Sequence, residues 1–198
     1  MSSTAPRLAV IIGSTREGRF GPVPAAWFAK QARRHGVFEV DVIDLADYPL
    51  PHELPAVSPM VEPNPPRPAG TAELTARLDA ADAVVIVTPD INASYPASLK
   101  TAIDWHFTQW QRKVIGFVGY GGSSGGLMAI NHLRHVFTEL NAHTVREYLI
   151  FPKFFLLFGP DGELLDPAAP EAAAAAMLDQ LRWWSSALAN ARELSVSA

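Results

Sequence analysis

Residues 7–27 read RLAVIIGSTREGRFGPVPAAW, and most of the predicted fold follows from this one stretch. Residues 8–12 form an apolar, mostly β-branched run without polar alternation, which predicts a strand buried on both faces of a parallel sheet. Gly13 ends that strand, and residues 14–21 follow it as a tight polar loop that contains two arginines. Two prolines then occupy the start of a predicted helix, where the missing N–H of proline costs no intrahelical hydrogen bond.

The order of strand, polar loop and helix N-terminus predicts an anion-binding site. Backbone N–H groups and the positive end of the helix dipole converge at such a loop, and the side chains add further donors: Ser14, Thr15, Arg16 and Arg19. A Walker A loop is excluded, because Arg19 and Phe20 stand where that motif needs Lys and Ser or Thr. The dinucleotide fingerprint G-x-G-x-x-G is absent too. The remaining interpretation is a site for a terminal monophosphate, and the alternative is a surface loop with incidental serines.

Length and composition predict one α/β domain over residues 1–198. The chain is 48% hydrophobic and 18% charged, with a formal net charge of −4 and a pI near 5.8. This balance gives no reason to expect nucleic acid or an anionic membrane as a partner. The absence of cysteine excludes disulfides, thiolate nucleophiles and cysteine-ligated metals. Residues 1–6 lack a secretory signal pattern, and no apolar run approaches the roughly 20 residues of a membrane helix, so we expect a cytoplasmic protein.

Strand and helix patterns alternate five times along the chain. After the first strand, apolar runs predict further strands at residues 38–43, 82–88, 111–118 and 144–151. Helical spacing and capping residues predict helices at residues 25–35, 71–81, 98–105, 124–140 and 171–191, with Thr71 as an N-cap. Residues 154–165 predict a hairpin-like extension around a Gly-Pro-Asp-Gly turn. The alternation predicts a parallel sheet with helices on both faces.

A long connection at residues 47–68 contains eight prolines. No helix or central strand tolerates that density of proline, and loops of this length inside compact domains are usually functional or disordered. Apolar residues provide candidate anchors within it: Leu50, Leu54, Val57 and Met60. These anchors favour an ordered flap or a subunit contact, with disorder as the alternative.

Three loops should meet at one edge of the predicted sheet. Ligands of parallel α/β sheets bind beyond the carboxyl ends of the strands, where the strand order reverses. The loops after the first, third and fourth strands, at residues 14–21, 89–97 and 119–126, should therefore converge. They are the segments richest in glycine, serine and asparagine, a composition that core packing does not require. Glycine in the last loop lets backbone approach a planar ring closely, because no side chain intervenes.

Three motifs in these loops resemble the NADPH-dependent FMN reductase family of flavodoxin-like flavoproteins. They are GSTREGRFG at residues 13–21, TPDINASYPASLKTAIDW at residues 88–105, and YGGSSGG at residues 120–126 with Arg134 downstream. The resemblance extends from Arg7 to about Asp166. It implies a flavodoxin-like three-layer sandwich with a five-stranded parallel sheet of order 2-1-3-4-5, FMN as the cofactor, and NADPH or NADH as co-substrate.

The resemblance also implies which residues hold FMN. The first loop would hold the phosphate through Ser14, Arg16, Phe20 and Gly21, to which the sequence itself adds Arg19 as a donor. The second loop would border the isoalloxazine through Pro89, Asp90, Ile91, Asn92 and Ser94. The third loop would meet the pyrimidine edge of the ring through Tyr120, Gly121, Gly122 and Ser123.

The chain departs from the family pattern at two positions of the second motif. Ile91 stands where the family has Tyr, and Ala97 stands where it has Gly. The first departure removes an aromatic side chain near the flavin face or the subunit contact. Both therefore bear on flavin affinity, substrate choice and oligomeric state.

Two other interpretations of the same residues are weaker. Residues 121–125 satisfy the hydrolase pattern G-x-S-x-G around Ser123. Only three histidines follow it, His132, His135 and His143, and the strands that remain are too few for a hydrolase sheet. A second group, His132, His135 and Glu139, shares one helix face at a spacing that metal ligands use. A solvated helix face is the simpler interpretation, and no metal is predicted.

We therefore predict a homo-oligomer, either a homodimer or a homotetramer, that is an FMN-dependent oxidoreductase. Catalytic side chains are not needed, since the flavin carries the chemistry. NAD(P)H would deliver hydride to FMN, and a quinone, free flavin, azo or nitro compound, or metal oxyanion would accept electrons in ping-pong turnover. Trp183 and Trp184 are expected to be buried against the sheet or a partner subunit. The alternative function is a flavodoxin-like electron carrier without turnover.

Overall fold

The first strand lies inside a parallel sheet, between the second and the third strands of the chain. The computed structural model describes residues 5–62, 66–68 and 70–196. The strands are β1 (Arg7–Ile12), β2 (Glu39–Asp44), β3 (Ala83–Pro89), β4 (Val114–Gly121), β5 (His143–Thr144) and β6 (Leu149–Pro152). Their order, β2-β1-β3-β4-β5 with β6 also paired to β4, confirms the predicted parallel sheet and its strand order.

Helices cover both faces of this sheet. Within the described residues they are α1 (Pro22–His35), α2 (Ala72–Ala80), α3 (Ala97–Asp104), α4 (Leu127–Glu139) and α5 (Ala168–Val196), with 3₁₀ turns at Leu45–Asp47 and Phe154–Leu156. Helices α1 and α5 share one core with the sheet, and α2, α3 and α4 share the other. Among the residues that the structure describes, no helix combines the length and the apolar character needed to cross a membrane.

Alternate residues of β1 enter two separate cores. Leu8, Val10 and Ile12 pack in the core that includes α1 and α5. Ala9 and Ile11 pack in the core on the opposite face of the sheet. Each of the five is at most 5% exposed. Burial on both faces explains why this run has no polar alternation, as the sequence predicts.

The last predicted strand, at residues 144–151, is wrong as a continuous element. It is divided into β5 and β6, which pair with β4 at Val114–Ile115 and at residues 118–121 respectively. Residues 145–148 between them are held by Arg134 of α4. Its guanidinium donates to Thr144 Oγ1 at 3.2 Å, to Val145 O at 2.8 Å and to Arg146 O at 3.1 Å. These bonds satisfy backbone carbonyls that a continuous ladder would otherwise pair.

Several element boundaries also differ from the prediction. Helix α1 begins at Pro22 rather than residue 25, and α5 runs from Ala168 rather than residue 171. Helix α4 begins three residues later than predicted, because Gly125 and Gly126 have φ values of +65° and +98° that cannot belong to a helix. Thr71 stands at the N-cap position of α2 as predicted, but its hydroxyl donates to Pro68 O at 2.7 Å and makes no capping hydrogen bond.

The first half of the proline-rich loop is anchored to the body of the protein. Tyr48 is 7% exposed, and Leu50 packs beside the core. Trp105 Nε1 donates to Pro51 O at 2.9 Å, which fixes the loop to the end of α3. The other three predicted anchors are instead exposed: Leu54 by 47%, Val57 by 43% and Met60 by 64%. Residues 63–65 of this loop lie outside the described part of the chain.

The segment after β6 forms a short extension that packs beside the first loop. Phe158 pairs with Leu164 in an antiparallel bridge, and Gly159 N donates to Glu163 O at 2.8 Å, which agrees with the predicted hairpin-like shape. On α5, Trp184 stacks on His143 with ring centroids 3.8 Å apart. Trp183 is 63% exposed in the single chain, so it is not buried against the sheet, and its burial against a partner subunit stays a prediction.

Replacing Arg134 by Met should lower the free energy of unfolding by about 1–3 kcal/mol. The change removes three hydrogen bonds to residues 144–146. One of the acceptors belongs to Val145, which is fully buried. The matched control is Arg146→Met, because that side chain is 92% exposed and its ion pair with Glu147 spans 4.0 Å. Urea unfolding followed by circular dichroism measures both, and equal losses for the two variants would contradict the role assigned to Arg134.

Candidate functional site

The three loops predicted to converge do so at the carboxyl edge of the sheet. Strands β1, β3 and β4 are adjacent and parallel, so the loops that follow them leave from one edge. Gly13 N donates to Val87 O at 2.9 Å, and Asp90 N donates to Tyr120 O at 3.1 Å. Ser98 Oγ, at the start of α3, donates to Gly13 O at 2.8 Å. These bonds fix the first loop against the second and the second against the third.

The first loop presents a buried hydroxyl at the start of a helix. Ser14 is 2% exposed, whereas residues 15–18, including Arg16, are exposed. Helix α1 begins just beyond, with Gly21 as an N-cap that has no side-chain hydrogen bond and with proline in its first turn. Polar donors, a cation and the positive end of a helix dipole therefore surround this loop, as an anion site requires.

The Arg19 side chain, which the sequence predicts as a phosphate donor, forms an ion pair within the protein. Its Nη2 donates to Asp44 Oδ2 at 2.5 Å, and the two side chains are about one-fifth exposed. Its Nε is buried and has no hydrogen-bond partner among the described residues. The pair fastens the first loop to the end of β2. Sequence reasoning missed Asp44 because a partner on a neighbouring strand has no local signal.

Aromatic side chains pack against the first loop. The Phe20 ring lies 4.5 Å from that of Phe154 and 5.5 Å from that of Phe158. The Tyr120 ring lies 5.5 Å from Phe154 and 6.2 Å from Phe20. Both predicted site residues, Phe20 and Tyr120, thus belong to one aromatic cluster in which packing restricts the position of the loop.

The carboxylate of Asp90 caps helix α4. Its Oδ2 accepts from Gly126 N at 3.1 Å and from the Ser124 hydroxyl, and its Oδ1 accepts from Ala129 N at 2.8 Å. A negative side chain at a helix N-terminus satisfies free N–H groups and complements the dipole. The side chain predicted to border a ring ties the second loop to the third, and its contact with a ring stays a prediction.

The tip of the second loop is a tight two-residue turn. Ile91 N donates to Ser94 O at 2.7 Å, and Ser94 N donates to Ile91 O at 3.0 Å. Asn92 and Ala93 lie between them with φ values of +49° and +63°, as a type I′ turn requires. Ser94 Oγ is 3.1 Å from His132 Nδ1, which attaches the turn to α4. Ile91 is 40% exposed, so the turn places an apolar side chain at the surface.

Most glycines of the third loop serve backbone packing. A Cβ at Gly126 would lie 2.4 Å from Gly119 Cα, and a Cβ at Gly125 would lie 2.7 Å from Pro152 N. Gly122 differs, because a Cβ there would meet no atom within 4 Å. Gly122 and Ser123 are exposed. The part of this loop that is open to a ligand is therefore residues 122–123, whereas Gly121 is buried. The sequence could not separate this open part from the packing glycines.

The two competing interpretations find no support in this geometry. Ser124 donates to Asp90 and Ser123 is exposed, so neither has the buried nucleophile arrangement of a hydrolase elbow. His132, His135 and Glu139 are exposed on α4. Within the described ranges, no three or more histidine, aspartate or glutamate side chains are grouped as metal ligands.

A parallel sheet of this order, with an anion loop and two open loops at its carboxyl edge, defines a flavodoxin-like protein. The sequence model of the family described as NADPH-dependent FMN reductase matches residues 6–155. The chain therefore belongs to the NADPH-dependent FMN reductase family. This membership confirms the predicted enzyme class, an oxidoreductase, and the predicted pair of FMN as cofactor and NAD(P)H as electron donor.

Individual relatives agree with this family. The chain is 32% identical over 165 residues to an NAD(P)H-dependent FMN reductase of Schizosaccharomyces pombe, covering 82% of this chain and 80% of the relative. It is 31% identical over 180 residues to a probable NADPH:quinone oxidoreductase of Oryza sativa subsp. japonica, covering 85% of each. A flavoenzyme NAD(P)H:(acceptor) oxidoreductase of Paracoccus denitrificans has the same fold, with a TM-score of 0.69 at 21% identity, over 91% of this chain and 97% of that chain.

The residues at the site fit FMN. Buried Ser14, the N-terminus of α1 and exposed Arg16 suit a phosphate, and the arginine Nε left unpaired at residue 19 adds an unused donor beside them. The tip of the second loop and residues 122–123 offer exposed backbone for a flat ring. The assignment of individual residues to the cofactor stays a prediction.

Replacing Ala93 by Gly should stabilise the protein by about 1 kcal/mol. A left-handed conformation costs an L-residue roughly 1–2 kcal/mol, and glycine removes most of that cost while losing more chain entropy on folding. Four residues later, Ala97→Gly should have the opposite sign, because Ala97 is in the first turn of α3, where Gly is the poorer helix former. Thermal and urea unfolding of both variants test this. A destabilised Ala93→Gly protein would contradict the strained turn.

Proposed function

We propose that this protein is an NAD(P)H-dependent quinone or flavin reductase whose FMN is held by the three loops at the carboxyl edge of the sheet. The proposal is supported by one observation: the buried Ser14 hydroxyl and the N-terminus of α1 lie at the same edge of the sheet as two loops with exposed tips. When bound, FMN supplies the redox chemistry, taking hydride from NAD(P)H and passing electrons to an acceptor. The protein binds and orients it.

The first loop holds the phosphate in this proposal. Ser14 donates from its buried hydroxyl, the first turn of α1 contributes backbone N–H groups and dipole, and Arg16 adds a charge from the exposed side. Arg19 acts indirectly, since its pair with Asp44 fixes the loop that carries the other donors. A phosphate site of this kind favours FMN over riboflavin, which carries no phosphate.

The second and third loops hold the ring in this proposal. Backbone at residues 92–93 and 122–123 is available because the Asp90 side chain and the packing glycines are engaged elsewhere. The exposed Ile91 side chain stands where the family has Tyr and leaves the outer face less covered. A more open face suits flat acceptors of varied shape. We therefore assign the acceptor to quinones, as the name of the rice relative suggests, with free flavin, azo or nitro compounds and metal oxyanions as further members of the range.

Turnover follows ping-pong kinetics if donor and acceptor use this same open face in turn. Steady-state rates with NADPH and a benzoquinone should give parallel double-reciprocal lines. NADPH alone should bleach the visible absorbance of the bound flavin without oxygen, which a simple electron carrier would not show at a catalytically competent rate. Intersecting lines would overturn the shared face.

Ser123 and Ser124 provide the matched variants for this experiment. In FMN-saturated protein, Ser123→Ala should keep most of the NADPH oxidation rate, because the residue offers no buried nucleophile. Ser124→Ala should act through stability, since its hydroxyl donates to the Asp90 cap. Loss of several orders of magnitude in kcat from either change, at full flavin occupancy, would assign nucleophilic chemistry to this loop instead.

We also propose that the protein is a homodimer or homotetramer that uses the proline-rich loop as a subunit contact. Leu54, Val57, Met60 and Val61 are between 43% and 72% exposed in the single chain. Two of them, Leu54 and Met60, line a groove of about 460 Å³ that is also lined by Ile103, Phe107 and Leu140. A second copy of the chain would cover this apolar surface. The cytoplasmic location expected from the sequence remains part of this proposal.

A charge placed on this loop should therefore break the assembly. Met60→Glu combined with Val61→Glu should shift the mass measured by light scattering from an oligomer towards a monomer, since a buried unpaired carboxylate is costly at an interface. Leu165→Glu is the control, because Leu165 is 73% exposed but lies on the extension after β6. A wild-type monomer at every concentration would refute the proposed contact.

A further inference from the structure

The Tyr120 side chain occupies a position that the sequence did not predict. The residue belongs to β4, yet its ring lies in the aromatic cluster below the first loop, at 6.2 Å from Phe20 and 5.5 Å from Phe154. Its hydroxyl lies against the Ser14 side chain and the Gly21 backbone. The backbone of Tyr120 belongs to the third loop, but its side chain reaches the first loop, at the phosphate end of the site.

The absence of a side chain at residue 21 makes room for this hydroxyl. A Cβ on Gly21 would lie 2.9 Å from Tyr120 Oη and 3.0 Å from Ile12 Cγ2, which is closer than real Cβ contacts come. The glycine at the N-cap of α1 and the tyrosine at the end of β4 are therefore spatially complementary. Tyr120 Oη stands at the beginning of α1, where the helix has no capping side chain of its own.

The hydroxyl keeps its proton in this environment. Burial raises the pKa of Tyr120 to about 12, although the Ser14 side chain, Arg16, the Gly21 backbone and Arg19 each act to lower it. A neutral phenol brings no negative charge to the site. It has one hydrogen to donate, and its oxygen lies against the Ser14 side chain and the Gly21 backbone.

We infer that the Tyr120 hydroxyl is a phosphate-selecting group, which donates a hydrogen bond to the phosphate of FMN alongside the Ser14 hydroxyl. This inference rests on the proposed function, since it assumes that the first loop holds that phosphate. An anionic acceptor at the start of α1 is the natural partner for a buried neutral donor among two arginines and a helix N-terminus. Tyr120 therefore selects the phosphorylated flavin rather than contacting its ring.

The test compares two ligands that differ only in the phosphate. Full-length protein freed of flavin is titrated with FMN and with riboflavin, and quenching of flavin fluorescence gives the two dissociation constants. Tyr120→Phe removes one oxygen and keeps the ring in its cluster. It should weaken FMN about 10-fold or more and leave riboflavin nearly unchanged, because the lost hydrogen bond is to a charged group.

Two further variants separate the inference from the proposed function. Arg16→Ala reports on the phosphate site as a whole and should also weaken FMN selectively, by roughly 10–150-fold. Tyr48→Phe is the matched control, because Tyr48 is also buried and its hydroxyl bonds Glu73 and Arg77, away from the first loop. It should leave the ratio of the two affinities unchanged.

A double-mutant cycle tests whether the Tyr120 hydroxyl and residue 21 act together on FMN affinity. Gly21→Ala pushes a methyl group against the hydroxyl, so it should weaken FMN in the wild-type background. In the Tyr120→Phe background the nearest neighbour of that methyl group is gone, and Gly21→Ala should cost less. The two effects on FMN affinity should therefore be less than additive.

Each outcome decides the question. Selective loss of FMN affinity in Tyr120→Phe with a non-additive cycle supports the inference. Unchanged FMN affinity, or equal losses for FMN and riboflavin, overturns it while leaving the proposed function in place if Arg16→Ala remains selective. A wild-type protein that binds riboflavin as tightly as FMN would overturn the phosphate site of the proposed function and the inference with it.

Discussion

Parallel pairing of β1, β3 and β4 is the constraint on which the site depends. It sends three loops out of one edge of the sheet, and the bonds from Gly13 to Val87 and from Asp90 to Tyr120 continue that pairing into the loops. Because these strands are buried on both faces, their register cannot slip without moving apolar side chains out of a core. The loops inherit a fixed spacing from the sheet.

Buried polar groups then give each loop its shape. The Asp90 carboxylate satisfies N–H groups at the start of α4, and the Arg19–Asp44 pair fastens the first loop to β2. The sequence alone predicts that both Asp90 and Arg19 contact a ligand. Here they position backbone, and positioning matters for a flavin enzyme because the cofactor supplies the chemistry and the protein supplies orientation.

In the proposed assignment, one end of the site holds the phosphate of FMN and the other holds its ring, and the two ends differ in exposure. The phosphate end is enclosed by the N-terminus of α1, by Ser14 and by the aromatic cluster around Phe20. The ring end is open, with an exposed turn at residues 91–94 and an unobstructed Gly122. A firm hold on the phosphate together with an accessible ring suits a family whose relatives carry reductase names with different acceptors.

The sequence by itself determined the fold class and the three loops at the carboxyl edge of the sheet, and the family resemblance gave the strand order. These features could be predicted because hydrophobic periodicity, glycine and proline determine local backbone structure. It predicted the β1 strand and the helix start at Pro22–Pro24 within three residues. Only the tertiary structure decided what individual side chains do. Asp90 and Arg19 find partners 36 and 25 residues away, Arg134 divides the last strand, and Tyr120 crosses from the third loop to the first. Such contacts depend on the distances between packed elements, which no spacing along the chain encodes.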